Sequence, residues 1–393
     1  MNKRAMQTVL SALSVAFPAS LLMAGVASAS DIAGGTVSPP VQPKLGPGSS
    51  NYPCAGKKVK TYGEGDYQYW LYEPANPSPK SAPVIVFNHG WGAMEPRSYD
   101  GWIDHLVKRG NIVIYPRYQE SLMTTGDLFV DNAAQAVKDA LARLNSEAGH
   151  VRPQTDKLAA VGHSAGGLVA AGLAAVAQEK GLPMIKAVMC VEPGKTWGPS
   201  HLQLPLSDMK KIPAATLLLT VYGDQDNMTR DIDARRIYEE SKKIPRANKN
   251  LVQLVSDDHG SPALSATHFC PTSPAARMFN KERMRRVQAA ADGVSLRNPQ
   301  GRIGTIRQQF FQNQMERFRK KQPGAFAEES ETAIPAASTI NALDFGLWKL
   351  FDGLTDAAFF GKNRQYALGN TPEMRYMGKW SDGVPVKELK VVQ

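Results

Sequence analysis

Residues Gly162-His163-Ser164-Ala165-Gly166 follow directly on the apolar run Leu158-Ala159-Ala160-Val161. This pentapeptide commits the chain to a strand, a sharp turn and a helix in immediate succession. The turn crowds the backbone, so the positions two before and two after the serine must be small. Gly162 and Gly166 meet that need, and Gly167 adds slack. The residues that follow, Leu168 to Val176, are small and apolar, suited to a helix packed closely on a sheet. A serine hydroxyl is a weak nucleophile until its geometry is forced, and a turn of this kind lifts it clear of the sheet toward a base. The competing reading, a chance glycine-serine pattern, is countered by the strand before it and the helix after it.

Around this turn the chain alternates. Short apolar runs at Pro83–Phe87, Asn111–Tyr115, Leu158–Val161, Ile185–Val191, Thr216–Tyr222 and Asn250–Val255 read as strands. Helical patterns lie between them near Tyr99–Lys108, Asp127–Leu144, Ser164–Glu179 and Asp231–Ser241. Strands that are apolar throughout are buried on both faces, and their alternation with helices predicts an α/β fold with a mostly parallel sheet. A β-hairpin is expected over Val59–Tyr72, and a final helix over Leu343–Phe360 with Phe345, Trp348, Phe351 and Phe359 on one face.

The ends of the chain differ in character from this middle. Residues 1–29 read as a secretory signal peptide: two early cations, an apolar stretch, then Ala27-Ser28-Ala29 as the cleavage site. Export to the periplasm or the medium is therefore expected. Residues 30–53 are rich in Gly, Pro and Ser and read as a flexible lead-in. A single domain over 54–393 then follows. The net charge of +10 is concentrated: residues 277–321 hold twelve Lys/Arg against three acids. That segment reads as a basic helical insert over 275–335, either a flap over a pocket or a weak contact for an anionic surface. Nucleic acid is not an expected partner, since no base-stacking pattern accompanies the charge. Of the three cysteines, Cys190 reads as a buried thiol, and Cys54 with Cys270 as the pair able to form a disulfide in an oxidising compartment. A zinc site is not expected, because no two cysteines are close in sequence.

These features together resemble the α/β-hydrolase family of serine esterases, over residues 55–270 and the helix at 340–360. The resemblance implies a central, mostly parallel sheet flanked by helices, and a Ser-Asp-His triad with Ser164 as nucleophile. Asn88-His89-Gly90-Trp91-Gly92 follows the strand Val84–Phe87, where relatives place a His-Gly turn; Trp91 and Ala165 N–H then form the oxyanion hole. The acid implied by the position past Gly223 is Asp226, with Asp224 a turn residue. Two bases remain open. His259 suits the usual distance past the last strand. His268, in His268-Phe269-Cys270-Pro271, is similar to a His-Phe-x-Pro phrase of bacterial cutinases and polyester hydrolases, and is preferred. The chemistry this implies is cleavage of a small-molecule or lipid carboxylic ester through an acyl-serine, with no cofactor or metal. Acyl transfer or peptide cleavage on the same triad is the alternative, and an envelope-binding module without catalysis a more remote one.

Overall fold

The computed structural model describes residues 36–121, 124–197, 203–273 and 342–392. A nine-stranded mixed sheet runs through it in the order β1-β2-β4-β3-β5-β6-β7-β8-β9. The hairpin β1 (Gly56–Tyr62) and β2 (Tyr69–Ala75) is antiparallel, and β2 joins the rest through β4. From there β4 (Ile112–Pro116), β3 (Ser81–Asn88), β5 (Arg152–His163), β6 (Ile185–Val191), β7 (Leu217–Gly223) and β8 (Lys249–Leu254) are parallel. The antiparallel β9 (Lys390–Val392) closes the far edge.

Helices follow β3, β4, β5 and β7 and cover both faces of the sheet, which explains why the central strands carry no polar face. Along β3, Val84 and Val86 enter one core while Ile85 and Phe87 enter the other. The first core lies under α2 (Phe129–Ser146) and α3 (Ala165–Val176), with Ile237 of α4 (Ile232–Glu240) at its margin. The second lies under α1 (Asp100–Lys108) and α5 (Lys349–Phe360), where Trp102, Ile103 and Phe351 are fully buried. The aromatic face expected on the last helix is there, although Ala342–Trp348 form a π-helical turn ahead of α5.

Three sequence expectations change. Residues 37–53 are not a loose lead-in. Gly48 N–H donates to Asp352 Oδ2 at 2.7 Å, and Tyr52 Oη pairs with His105 Nδ1 at 2.9 Å. Asp352 is buried and also meets His105 Nε2 (3.0 Å) and Arg109 Nε (3.2 Å), so one carboxylate ties the segment to both α1 and α5. The expected Cys54–Cys270 disulfide is absent: Cys54, Cys190 and Cys270 are separate buried thiols. Burial pushes each thiol above its ordinary range, which suppresses the thiolate that oxidation needs. Finally, β5 starts at Arg152, six residues before its apolar run, because its polar beginning pairs with residues 81–83. The signal peptide and the basic insert lie outside the described residues, apart from the insert's expected C-terminal neighbour α5. No described helix is long and apolar enough to cross a membrane.

Candidate active site

The turn between β5 and α3 has the geometry its glycines foretell. Ser164 has φ 55° and ψ −124°, a conformation that costs a non-glycine residue about 1–3 kcal/mol and persists only where the surroundings enforce it. The enforcement is visible. Ser164 N–H donates to Val191 O at 2.9 Å, and Gly194 N–H and Gly167 N–H both reach Ser164 O. A Cβ on Gly162 would lie 1.9 Å from Gly166 O, and one on Gly166 would lie 2.2 Å from Asn88 O. The two small residues flanking the serine are thus required by close backbone approach, across the turn and against the end of β3.

Asp226 and His268 arrive from other loops. Asp226 sits in the turn after β7. Its Oδ1 accepts the N–H groups of Met228 (2.8 Å) and Thr229 (3.0 Å), and its Oδ2 accepts the Thr229 hydroxyl (2.6 Å). His268 lies in the loop after β8. Its Nδ1 is 2.9 Å from Asp226 Oδ2, and its Nε2 is 3.0 Å from Ser164 Oγ. Since the carboxylate can only accept, Nδ1 carries the proton and Nε2 presents a lone pair to the serine hydroxyl. Burial works against the Asp226 charge, but the hydrogen bonds and charge of His268, with those of Thr229, outweigh it and hold the carboxyl down at about 2. It stays ionised through the neutral range.

The second histidine goes elsewhere. His259 Nε2 is 2.7 Å from Asp382 Oδ2, and both side chains are partly exposed. Asp224 likewise leaves the site, binding Ser256 N–H at 3.0 Å and its hydroxyl at 2.5 Å.

The loop after β3 abuts the serine: a Cβ on Gly90 would lie 3.3 Å from Ser164 Cβ. It is held from several directions. Ala93 N–H closes a turn onto Gly90 O (2.9 Å), Gly92 N–H donates to Gln119 Oε1 (2.8 Å), and Tyr118 donates to His89 O. His89 itself is buried, stacked on Tyr118 with ring centres 4.1 Å apart. Neither Trp91 N–H nor Ala165 N–H has a partner among the described residues. Ala165 is the first residue of α3, so its N–H is one of the donors a helix leaves open at its positive end. Trp91 (41% exposed) and Phe269 (46% exposed) supply an open aromatic rim to the same region.

Two side chains that sequence reasoning passed over sit directly behind the triad. His163, the residue before the serine, is buried. Its Nε2–H donates to His268 O (2.7 Å) and its Nδ1 accepts the Tyr99 hydroxyl (2.8 Å), while Tyr99 Oη accepts Gly90 N–H (2.9 Å). One neutral imidazole therefore braces the base loop against the loop after β3; burial holds its pKa at about 4. Glu192, at the end of β6, is buried beside it, with Oε2 3.4 Å from His163 Nε2 and Oε1 accepting the Cys270 thiol (3.3 Å). Burial pushes its carboxyl up to about 8 despite the pull of His268. The pair is thus two neutral groups near pH 7, not an ion pair. Only the position of Glu192 at a strand end hinted at this placement. Its φ of 46° is a tertiary fact.

His163, Glu192 and His268 are also the one described cluster with metal-ligand reach, their ligand atoms lying within 4.8 Å of one another. All four histidine nitrogens already have hydrogen-bond partners, so a metal there would have to displace the triad's own contacts.

A mixed sheet of this order, with Ser164 on the turn after β5 and Asp226 and His268 on the loops after β7 and β8, has the arrangement of the α/β-hydrolase fold. A family model described as Chlorophyllase matches residues 74–205. The match spans β3 to β6 with the Asn88–Gly92 loop and Ser164, and ends before Asp226 and His268. Among solved structures, the chain is similar to a fungal esterase from Rhizomucor miehei. That pair is 16% identical, with 52% of this chain and 77% of the other covered and a TM-score of 0.41. It is also similar to a thermostable esterase from Pseudomonas putida, at 16% identity, 51% and 75% coverage and a TM-score of 0.40. No curated protein matches the sequence.

Proposed function

We propose that the protein hydrolyses carboxylic esters, with Ser164 as nucleophile, His268 as general base and acid, and Asp226 as the group that orients it. The observation that carries this reading is the continuous hydrogen-bonded line Ser164 Oγ–His268 Nε2, His268 Nδ1–Asp226 Oδ2, at 3.0 and 2.9 Å. Ser164 Oγ attacks the acyl carbon and its proton passes to His268 Nε2. The carbonyl oxygen takes the charge and rests on Trp91 and Ala165 N–H, each such donor being worth roughly 3–4 kcal/mol in the transition state. The imidazolium, stabilised by Asp226, then protonates the departing alcohol and leaves an acyl-serine. Water repeats the sequence, with His268 first accepting its proton and then returning it to Ser164. Export rests on residues 1–29 alone, and the N-terminal sequence of the mature protein tests it.

Two measurements test the activity. A fluorophosphonate should label the wild-type protein at Ser164, and a p-nitrophenyl ester series from acetate to palmitate should show turnover and its chain-length preference. Ser164→Ala should lose labelling and fall in kcat by about 10⁴-fold or more, while keeping the wild-type Tm to within a few degrees. Retention of more than about a tenth of wild-type kcat by that variant would remove Ser164 from the mechanism.

A further inference from the structure

Beyond the triad, the loops after β6 and β7 carry a group of donors with no anionic partner among the described residues. Lys195 Nζ lies 4.0 Å from the centre of the Trp197 ring, and the Arg230 guanidinium carbon lies 4.7 Å from the same centre. Each cation gains from the ring, by roughly 0.5–2 kcal/mol. The two nonetheless repel one another, and neither forms an ion pair with any described residue. Burial and the Arg230 charge together depress the Lys195 ammonium. The carboxylate that acts on Lys195, Asp233, is committed elsewhere: its Oδ2 accepts Thr196 N–H at 2.9 Å and its Oδ1 the Thr196 hydroxyl. The indole Nε1–H of Trp197 is itself buried and without a hydrogen-bond partner among the described residues. Arg230 is held at φ 56°, a left-handed conformation unusual for a residue other than Gly, Asn or Asp.

This group is tied to the triad at both ends. Lys195 follows Gly194, whose N–H bonds Ser164 O. Arg230 follows Thr229, whose hydroxyl and N–H bond Asp226. Two cations and an indole N–H thus share one aromatic platform, fixed to the loops that hold Ser164 and Asp226, and none of the three meets an anion among the described residues.

We propose that Lys195, Arg230 and Trp197 form an anion-recognition subsite, and that the preferred substrates are esters bearing a second, anionic group such as a carboxylate. This rests on the reading of Ser164 as the esterase nucleophile. The cations act on substrate binding, and the chemistry at the acyl carbon is unchanged. The neutral part of the substrate lies along the aromatic rim, and its carboxylate takes the place of the missing counter-ion.

Two matched pairs test it, because the anion can sit on either side of the ester bond. p-Nitrophenyl hydrogen glutarate is compared with p-nitrophenyl pentanoate, and 4-(butanoyloxy)benzoate with 4-(butanoyloxy)benzamide. The wild-type protein should favour the anionic member of at least one pair by about tenfold in kcat/KM, chiefly through KM, since hydrogen bonds to charged groups exceed neutral ones by about that much. In the Lys195→Gln/Arg230→Gln double variant that anionic-to-neutral ratio should fall about tenfold. Raising NaCl from 0.05 to 0.5 M should lower it in the wild type and not in the variant. Each ratio is internal to one protein, so a general loss of activity or fold does not mimic the effect. Turnover of all four esters without preference for either anion, or a ratio unmoved by the double substitution, overturns the subsite and leaves the esterase reading intact. No turnover of any ester with no fluorophosphonate labelling overturns both.

Discussion

At the residue scale, the question the sequence left open is which histidine serves Ser164. His268 stands between Asp226 and Ser164, while His259 is occupied by Asp382. His268→Ala should therefore lose about 10⁴-fold in kcat, and His259→Ala should retain most of it; steady-state hydrolysis of p-nitrophenyl butyrate compares them directly. An inactive His259→Ala beside an active His268→Ala would reverse the assignment. Glu192 makes a different prediction, on stability. Its folded carboxyl titrates at about 8, above the ordinary 4.5, so between those values the native state keeps a proton that the unfolded state has released. Stability then falls as pH rises through that window. Glu192→Gln, neutral at all pH, should match wild-type Tm near pH 5 and exceed it by several degrees at pH 8. A Tm difference constant across pH 5 to 8 would mean that Glu192 is already ionised.

At the element scale, the strand–turn–helix unit of β5 and α3 rests on backbone contact that no side chain can enter. Gly166→Ala would place a methyl group 2.2 Å from Asn88 O, so β3 or α3 must move, and with them the loop after β3. Thermal unfolding should show a loss of several kcal/mol or failure to accumulate folded protein, in the upper range of single-site effects. Gly149→Ala offers the contrast. Gly149 has φ +83° with nothing within 4 Å of a Cβ, so the cost is the conformational strain alone, about 1–2 kcal/mol. Equal losses in the two variants would show that crowding is not what demands glycine at 166. The same scale shows why sequence placed some elements well and others poorly. β6 runs over Ile185–Val191 as its apolar pattern indicates, because both of its faces are covered. The apolar pattern misses the first six residues of β5, since Arg152, Thr155 and Asp156 are exposed and carry no apolar signal. β9 is three residues long and exists only through its pairing with β8.

At the scale of the whole molecule, the segment 37–53 is tied to the domain at both ends, by Val37 O to Ser261 N–H and by Tyr52 to His105, and at its middle by one buried carboxylate. Asp352 receives Gly48 N–H and faces both His105 and Arg109. Replacing it leaves Arg109 and His105 without their shared acceptor in a buried place. Asp352→Ala should cost about 3–5 kcal/mol, the range for breaking a buried charge pair, and should expose 37–53 to limited proteolysis before global unfolding. Unchanged protection of this segment in a folded Asp352→Ala protein would mean that its other contacts, at Val37, Ser38 and Tyr52, suffice. The sequence did not announce this tie, because Gly/Pro/Ser composition describes how freely a segment moves alone and is silent on a hydrogen bond made to a residue some 300 positions away.

What the sequence determined by itself was what depends on near neighbours. The alternation of apolar runs with helical patterns settled the parallel sheet, since strands buried on both faces need crossovers. The spacing of Gly162 and Gly166 about Ser164 settled the turn, since a Cβ on Gly162 would meet Gly166 O four residues on, although the second demand for glycine, at 166, comes from Asn88 on another strand. Tertiary structure alone brought His268, and not His259, within hydrogen-bond reach of Ser164, kept Cys54 apart from Cys270, and braced the His268 loop by His163 and Tyr99. It also decided that Lys195 and Arg230 share one indole ring. Each of these is a contact between loops from different strands. Such a contact depends on the path of each loop in space, and a residue's type and local spacing carry no information about where a distant loop will end.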